Sequence, residues 1–138
     1  MNIEYSFIVI DDNELDCFVI QKVIQHTYKN VSIDTFHNGL GAIEMIRNHS
    51  GNDRPPAIIF LDLQMPVMDG PEFIEEFENL PSEIQNNYVI VVLSILSAAR
   101  YPVDVFRISH HPSVNCVIEK PLIKEKLIKL LVQLKPGD

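Results

Sequence analysis

The stretch "FLDLQMPVMDG", residues 60–70, places an aspartate at the end of an apolar run and follows it with a turn. Ala57 to Leu61 is continuously apolar, the pattern of a strand buried on both faces. Asp69-Gly70 has turn chemistry, and Pro71 suits the first turn of a helix, where its missing N–H costs nothing. Phe73, Ile74, Phe77 and Leu80 then form an inward-facing helical stripe. This segment therefore reads as strand, loop, helix, with Asp62 at the carboxyl end of the strand.

The same unit recurs on either side. Tyr5 to Ile10 reads as a strand, and Leu15, Phe18, Val19 and Val23 repeat at helical spacing after it. Val31 to Phe36 alternates, and Leu40, Ile43 and Ile46 form a second stripe beyond Asn38-Gly39. A loop from Pro81 to Asn87 leads to Tyr88–Leu93, another unbroken apolar strand. Val114–Ile118 is the fifth strand, followed by a helix over about Leu122 to Leu134 that buries Ile123, Leu127, Leu130, Leu131 and Leu134. Ala98 to Ser109, interrupted by Pro102, predicts a short or distorted helix, with a turn at His110-His111-Pro112. Parallel strands need crossover connections, and these are right-handed. The expected architecture is α/β: a doubly wound, five-stranded parallel sheet, a (βα)5 arrangement forming a single domain over residues 1–138.

Composition narrows the function. A chain of 138 residues can bury a substantial core as one domain. No run approaches the ~20 apolar residues of a membrane span, and the N-terminus lacks a secretory pattern, so the expected location is cytoplasmic. Cys17 and Cys116 read as separate buried thiols in a reducing compartment. The net charge of −8 argues against nucleic-acid binding. That charge is uneven: residues 1–99 hold 4 basic and 15 acidic side chains, residues 100–138 hold 7 and 4. Lys124, Lys126, Lys129 and Lys135 read first as the solvated face of the last helix and second as a docking face for an acidic partner. The histidines His26, His37, His49, His110 and His111 read as surface residues.

In doubly wound sheets, ligands sit outside the carboxyl ends of the strands. Asp11-Asp12 ends the first strand, Asp62 the third, Ser94 the fourth and Lys120 the fifth, so the few charged groups of these strands converge on one edge. Taken alone, Asp11-Asp12 reads equally well as a helix cap. As a set, three carboxylates need a positive charge between them, and oxygen donors at an open site suit Mg²⁺. Lys120 supplies an ammonium and Ser94 a hydroxyl donor, which together with Mg²⁺ would receive a phosphoryl group on Asp62 acting as nucleophile.

The motifs "FIVIDDN", "FLDLQMPVMDG", "VVLS" and "IEKPL", in that order through essentially the whole chain, resemble those of receiver domains of two-component response regulators. The resemblance implies a flavodoxin-like fold phosphorylated by a sensor histidine kinase or a phosphotransfer protein. It also implies Asp62 as phosphoacceptor, Asp12 as direct Mg²⁺ ligand, Asp11 as ligand through water, the Gln64 backbone carbonyl as a further ligand, and Lys120 as the active-site lysine before a cis Pro121. With no output domain after Asp138, a stand-alone receiver acting on an unknown protein target is expected. Two positions depart from the family pattern. Val117, three before Lys120, replaces the switch aromatic that pairs with the Ser94 hydroxyl, and Ile95 stands where a small residue is common. Ile95 and Leu96 would then restrict water's access to the acyl phosphate. A rival register makes Ser97-Ala98 the hydroxyl-plus-small pair. Competing functions are a degenerate receiver serving as a scaffold and an Mg²⁺-dependent aspartyl phosphatase. The latter requires an acid two residues past the nucleophile, where Gln64 stands.

Overall fold

A computed structural model describes residues 5–48, 57–63, 65, 67–94 and 107–134. The elements run β1 (Ser6–Ile10), α1 (Glu14–Thr27), β2 (Ile33–Phe36), α2 (Gly39–Asn48), β3 (Ala57–Asp62), α3 (Gly70–Glu78), α4 (Ser82–Gln85), β4 (Tyr88–Ser94), β5 (Val114–Glu119) and α5 (Lys124–Gln133). All strands are parallel in the order β2-β1-β3-β4-β5. This is the doubly wound, flavodoxin-like order, whose winding reverses between β1 and β3.

Alternation along each strand feeds two cores. Phe7 and Val9 of β1, Ile58 and Phe60 of β3, and Val91 and Leu93 of β4 pack with Cys17, Ile20 and Ile24 of α1 and Leu127, Leu130 and Leu131 of α5. Ile8, Ile10, Ile59, Leu61, Ile90 and Val92 face the other way, onto Ala42, Ile43 and Ile46 of α2 and Phe73, Ile74 and Phe77 of α3. Each of these strands is thus buried on both sides, which explains its continuous apolarity. The Tyr5 hydroxyl donates to the Leu134 carbonyl and ties the start of β1 to the end of α5.

Several local expectations change. α1 turns its other face inward: Cys17, Ile20 and Ile24 are buried, while Leu15 and Phe18 are 69% and 57% exposed and Val19 is also exposed. The helix is apolar on two sides, and its stripe does not say which one meets the sheet. Leu40, in the first turn of α2, and Ile123, the N-cap of α5, are also exposed, and Leu122 fills the core position next to Ile123. Residues 81–87 are not simply a loop but contain the single turn α4. Its Gln85 Nε2 donates to the carbonyls of Glu78 at 3.1 Å and Leu80 at 2.8 Å. The first bond satisfies a carbonyl that the end of α3 leaves without a helical partner, and the second holds the chain just beyond it. Cys116 is half-buried. His111 is not a bare surface residue, because its Nδ1 lies 3.0 Å from Glu78 Oε1. Most of the expected helix over 98–109 lies outside the described residues, as do His49 and Lys135.

Candidate functional site

The carboxyl ends of β1, β3, β4 and β5 meet at one edge because the register carries them there: Ile10 pairs with Leu61, Asp62 with Leu93, and Ser94 with Glu119. Asp11 follows directly on the buried Ile10 and Asp62 on the buried Leu61, and Lys120 comes just past Glu119, so main-chain pairing fixes where each emerges. Asp11, Asp12 and Asp62 come together, each offering a carboxylate oxygen within 4.8 Å of the others. Asp11 is buried, Asp62 half-buried and Asp12 exposed, leaving the cluster open on one side.

Lys120 reaches into this cluster from the end of β5. Its backbone N–H donates to the Ser94 carbonyl at 2.8 Å, anchoring the lysine to β4. Its Nζ donates to Asp11 Oδ2 at 3.1 Å, Asp16 Oδ2 at 3.2 Å and Asp62 Oδ1 at 3.3 Å. All three ammonium protons therefore have carboxylate partners. Burial pulls the lysine toward its neutral form, but the charges of Asp62 and Asp11 outweigh it and raise the pKa above the usual lysine value. Lys120 is thus a fixed positive charge in this site. The Lys120–Pro121 peptide is cis. Beside them, the Cys17 thiol donates to the Asp11 carbonyl at 3.1 Å. Its pKa is pushed up to about 11, first by burial and then by the charge of Asp11. A thiol held protonated in this way is a packing group rather than a nucleophile.

Two features shape the loop after Asp62. Val67 and Met68 take positive φ values of 52° and 53°. That conformation is unfavourable for a β-branched residue such as Val67. The Met68 carbonyl accepts from Gly39 N–H at 3.3 Å, and a Cβ on Gly39 would lie 2.8 Å from that oxygen, so a glycine is required where the loop rests on α2. At its far end Asp69 caps α3, accepting from Glu72 N–H at 3.0 Å, while the Glu72 side chain returns to the Asp69 N–H. The two bonds satisfy donors that the helix start would otherwise leave open.

Of the residues singled out in the sequence, the structure brings Asp11, Asp12, Asp62 and Lys120 together and sets Ser94 on the neighbouring strand end. Val117 does not join them. It lies opposite Val92 and packs with the core on the α2 and α3 side. Gln64, Ile95, Leu96 and Ser97 lie outside the described residues. Asp16 was missed by sequence reasoning: an acid three residues after the N-cap Asn13 reads as an ordinary helix-start residue, and only the fold shows it reaching Lys120. The basic face also changes meaning, because Lys126 Nζ donates to the carbonyls of Glu119 at 2.7 Å and Pro121 at 3.2 Å and braces the turn after Lys120.

Among the described residues, the carboxylates of Asp11, Asp12, Asp16 and Asp62 outnumber the Lys120 ammonium, and Asp11, Asp12 and Asp62 offer hard oxygen donors close enough to share a divalent cation such as Mg²⁺. Among the described residues, no helix is long and apolar enough to cross a membrane.

Comparison with known proteins agrees with this geometry. The response regulator receiver domain matches residues 7–132. The probable methanogenesis regulatory protein FilR2 of Methanothrix harundinacea is 25% identical over 132 residues, covering 95% of this chain and 81% of that protein. The sensor histidine kinase CheAY of Helicobacter pylori is 33% identical over 84 residues, 56% of this chain but only 10% of the much longer kinase. A response regulator receiver protein of Dyadobacter fermentans superposes with a TM-score of 0.84 at 28% identity, covering 96% of this chain and 99% of the other. The cluster at the strand ends, the doubly wound sheet and the match over residues 7–132 together show that the chain belongs to the response regulator receiver domain family of two-component signalling.

Proposed function

We propose that residues 1–138 act as a single receiver unit that takes a phosphoryl group on Asp62 from a phosphohistidine of a sensor histidine kinase or phosphotransfer protein, and signals through altered contacts with a protein target. The observation that carries this reading is Lys120 Nζ lying 3.3 Å from Asp62 Oδ1 within a cluster of carboxylates able to share a cation. A carboxylate oxygen of Asp62 forms the new O–P bond as the donor's N–P bond breaks, and the departing imidazole keeps the electron pair. Lys120 orients Asp62 and offers positive charge to the phosphoryl oxygens. Bound Mg²⁺, held by Asp11, Asp12 and Asp62 with the Gln64 carbonyl completing the set, would neutralise further charge on those oxygens. Ser94, at the adjacent strand end, supplies a hydroxyl donor to the same group. The likeness of this chain to a segment of a sensor histidine kinase supports a histidine-linked donor.

The test is labelling by acetyl phosphate with Mg²⁺. The wild-type chain incorporates one phosphoryl group, lost on hydroxylamine treatment, and Asp62→Asn incorporates none. Labelling that persists in Asp62→Asn would assign the nucleophile elsewhere, and an unlabelled wild type would favour the scaffold. Turnover of small phosphate esters would favour the phosphatase, against which Gln64 argues by standing where that chemistry needs a second acid.

A further inference from the structure

α1 and α3 begin with the same kind of cap but use it differently. In α3 both halves of the capping box close: Asp69 accepts from the Glu72 N–H, and Glu72 returns to the Asp69 N–H. In α1 only one half closes. Asn13 Oδ1 accepts from the Asp16 N–H at 2.9 Å, but the Asn13 N–H is already taken by Asp11 Oδ1 at 2.9 Å. The Asp16 carboxylate is thereby released from its ordinary capping role, and it lies on Lys120 Nζ at 3.2 Å.

Lys120 has three ammonium protons and three carboxylate partners, so it can serve a phosphoryl oxygen only by giving one partner up. The partners differ in how cheaply they are released. The side chain of Asp11 is 2% exposed and that of Asp62 14%, whereas that of Asp16 is 43% exposed. Only Asp16 can readily replace the ammonium with water. We propose that Asp16 is a positioning residue for Lys120: it is the exchangeable outer anchor of the lysine, and it sets how readily the ammonium moves onto the phosphoryl group. This rests on the reading of Asp62 as phosphoacceptor. Two opposed effects follow from removing the charge of Asp16. Lys120 becomes freer to meet the phosphoryl group, and the negative potential that attracts Mg²⁺ weakens.

The experiment compares the full wild-type chain with Asp16→Asn, Asp16→Glu and Glu14→Gln. Mg²⁺ affinity is measured by calorimetry without any phosphodonor, and the labelling rate by acetyl phosphate at saturating Mg²⁺. An ion pair with one solvent-exposed partner, as Asp16 is here, corresponds to roughly a 3-fold effect. Asp16→Asn is expected to weaken Mg²⁺ binding about 3-fold and to raise the saturated labelling rate about 3-fold. Asp16→Glu, which keeps the charge and can still reach Lys120, restores both. Glu14→Gln removes an acid from the same helix turn and leaves both unchanged. The inference alone is overturned if the wild type labels normally and Asp16→Asn matches it in both measurements, if Asp16→Glu fails to restore them, or if Glu14→Gln reproduces the shifts. A wild-type chain that binds Mg²⁺ but takes no label overturns the phosphoacceptor reading and this inference with it.

Discussion

Gly70 ties β3, the strand that carries Asp62, to α3 more closely than any side chain allows, and replacing it with alanine tests that contact directly. A Cβ at this position would lie 2.7 Å from Leu63 Cα, 2.9 Å from the Asp62 carbonyl oxygen and 3.0 Å from Leu63 Cδ2, against 3.4–4 Å for ordinary contact. Two of the three neighbours are backbone, held by the Gly70 N–H to Leu63 carbonyl bond at 3.0 Å and by β3 pairing with β4, so neither can swing aside. Opening the gap by about 0.7 Å in a packed region costs roughly 2–3 kcal/mol. Replacing glycine in a helix returns about 0.5–1 kcal/mol. The net loss is about 1–2.5 kcal/mol, seen as a fall of roughly 4–10 °C in Tm. Because the displaced atoms belong to Asp62 and Leu63, labelling by acetyl phosphate should slow roughly 10-fold in protein that is still folded. Gly41→Ala is the matched control. Its nearest neighbour is the Phe36 ring edge at 3.2 Å, a side chain that can give. That variant should stay within about 0.5 kcal/mol of wild type. Urea unfolding followed by circular dichroism measures all three proteins. Equal stability of Gly70→Ala and wild type, or an equal loss in Gly41→Ala, would refute the steric argument.

Two further outcomes follow from the packing. Leu15 lies on the outer face of α1 and Ile20 on the inner face. Leu15→Ser should change stability by no more than about 0.5 kcal/mol, whereas Ile20→Ala should cost about 2–4 kcal/mol. Reversal of that order in chemical denaturation would mean that α1 is rotated. Burial alone would raise the Glu78 pKa, but hydrogen bonds from the Ser113 side chain and His111, with the Ser113 backbone N–H, lower it overall. A lowered folded-state value stabilises above the unfolded pKa of about 4.3 and is lost as pH falls through the folded value. Glu78→Gln should therefore be less stable by about 1–2 kcal/mol at neutral pH, with the gap closing as pH falls through the lowered folded-state value. A gap that stays constant from neutral to acid pH would exclude the ionised carboxylate as its source.

Much of this molecule was legible in its residue pattern. Ala57–Leu61 and Tyr88–Leu93 are apolar without interruption because helices cover both faces of their sheet, and that signal survives without knowing which helices do so. The endpoints of the strands put Asp11, Asp12, Asp62 and Lys120 on one edge, since parallel strands place their carboxyl ends together. What the pattern left open depends on neighbours distant in the chain. α1 has an apolar line through Leu15 and Phe18 and another through Cys17, Ile20 and Ile24, and only docking onto β1, β3 and α5 decides between them. Asp16 looks like a helix-start acid until Lys120, 104 residues away, arrives beside it. Lys126 looks like a solvent-facing charge until the turn after β5 presents two carbonyls to it. Local periodicity encodes how much of an element is buried, whereas the identity of the partner across the gap is set by long-range packing, and the ion pairs that tune this site are all of the second kind.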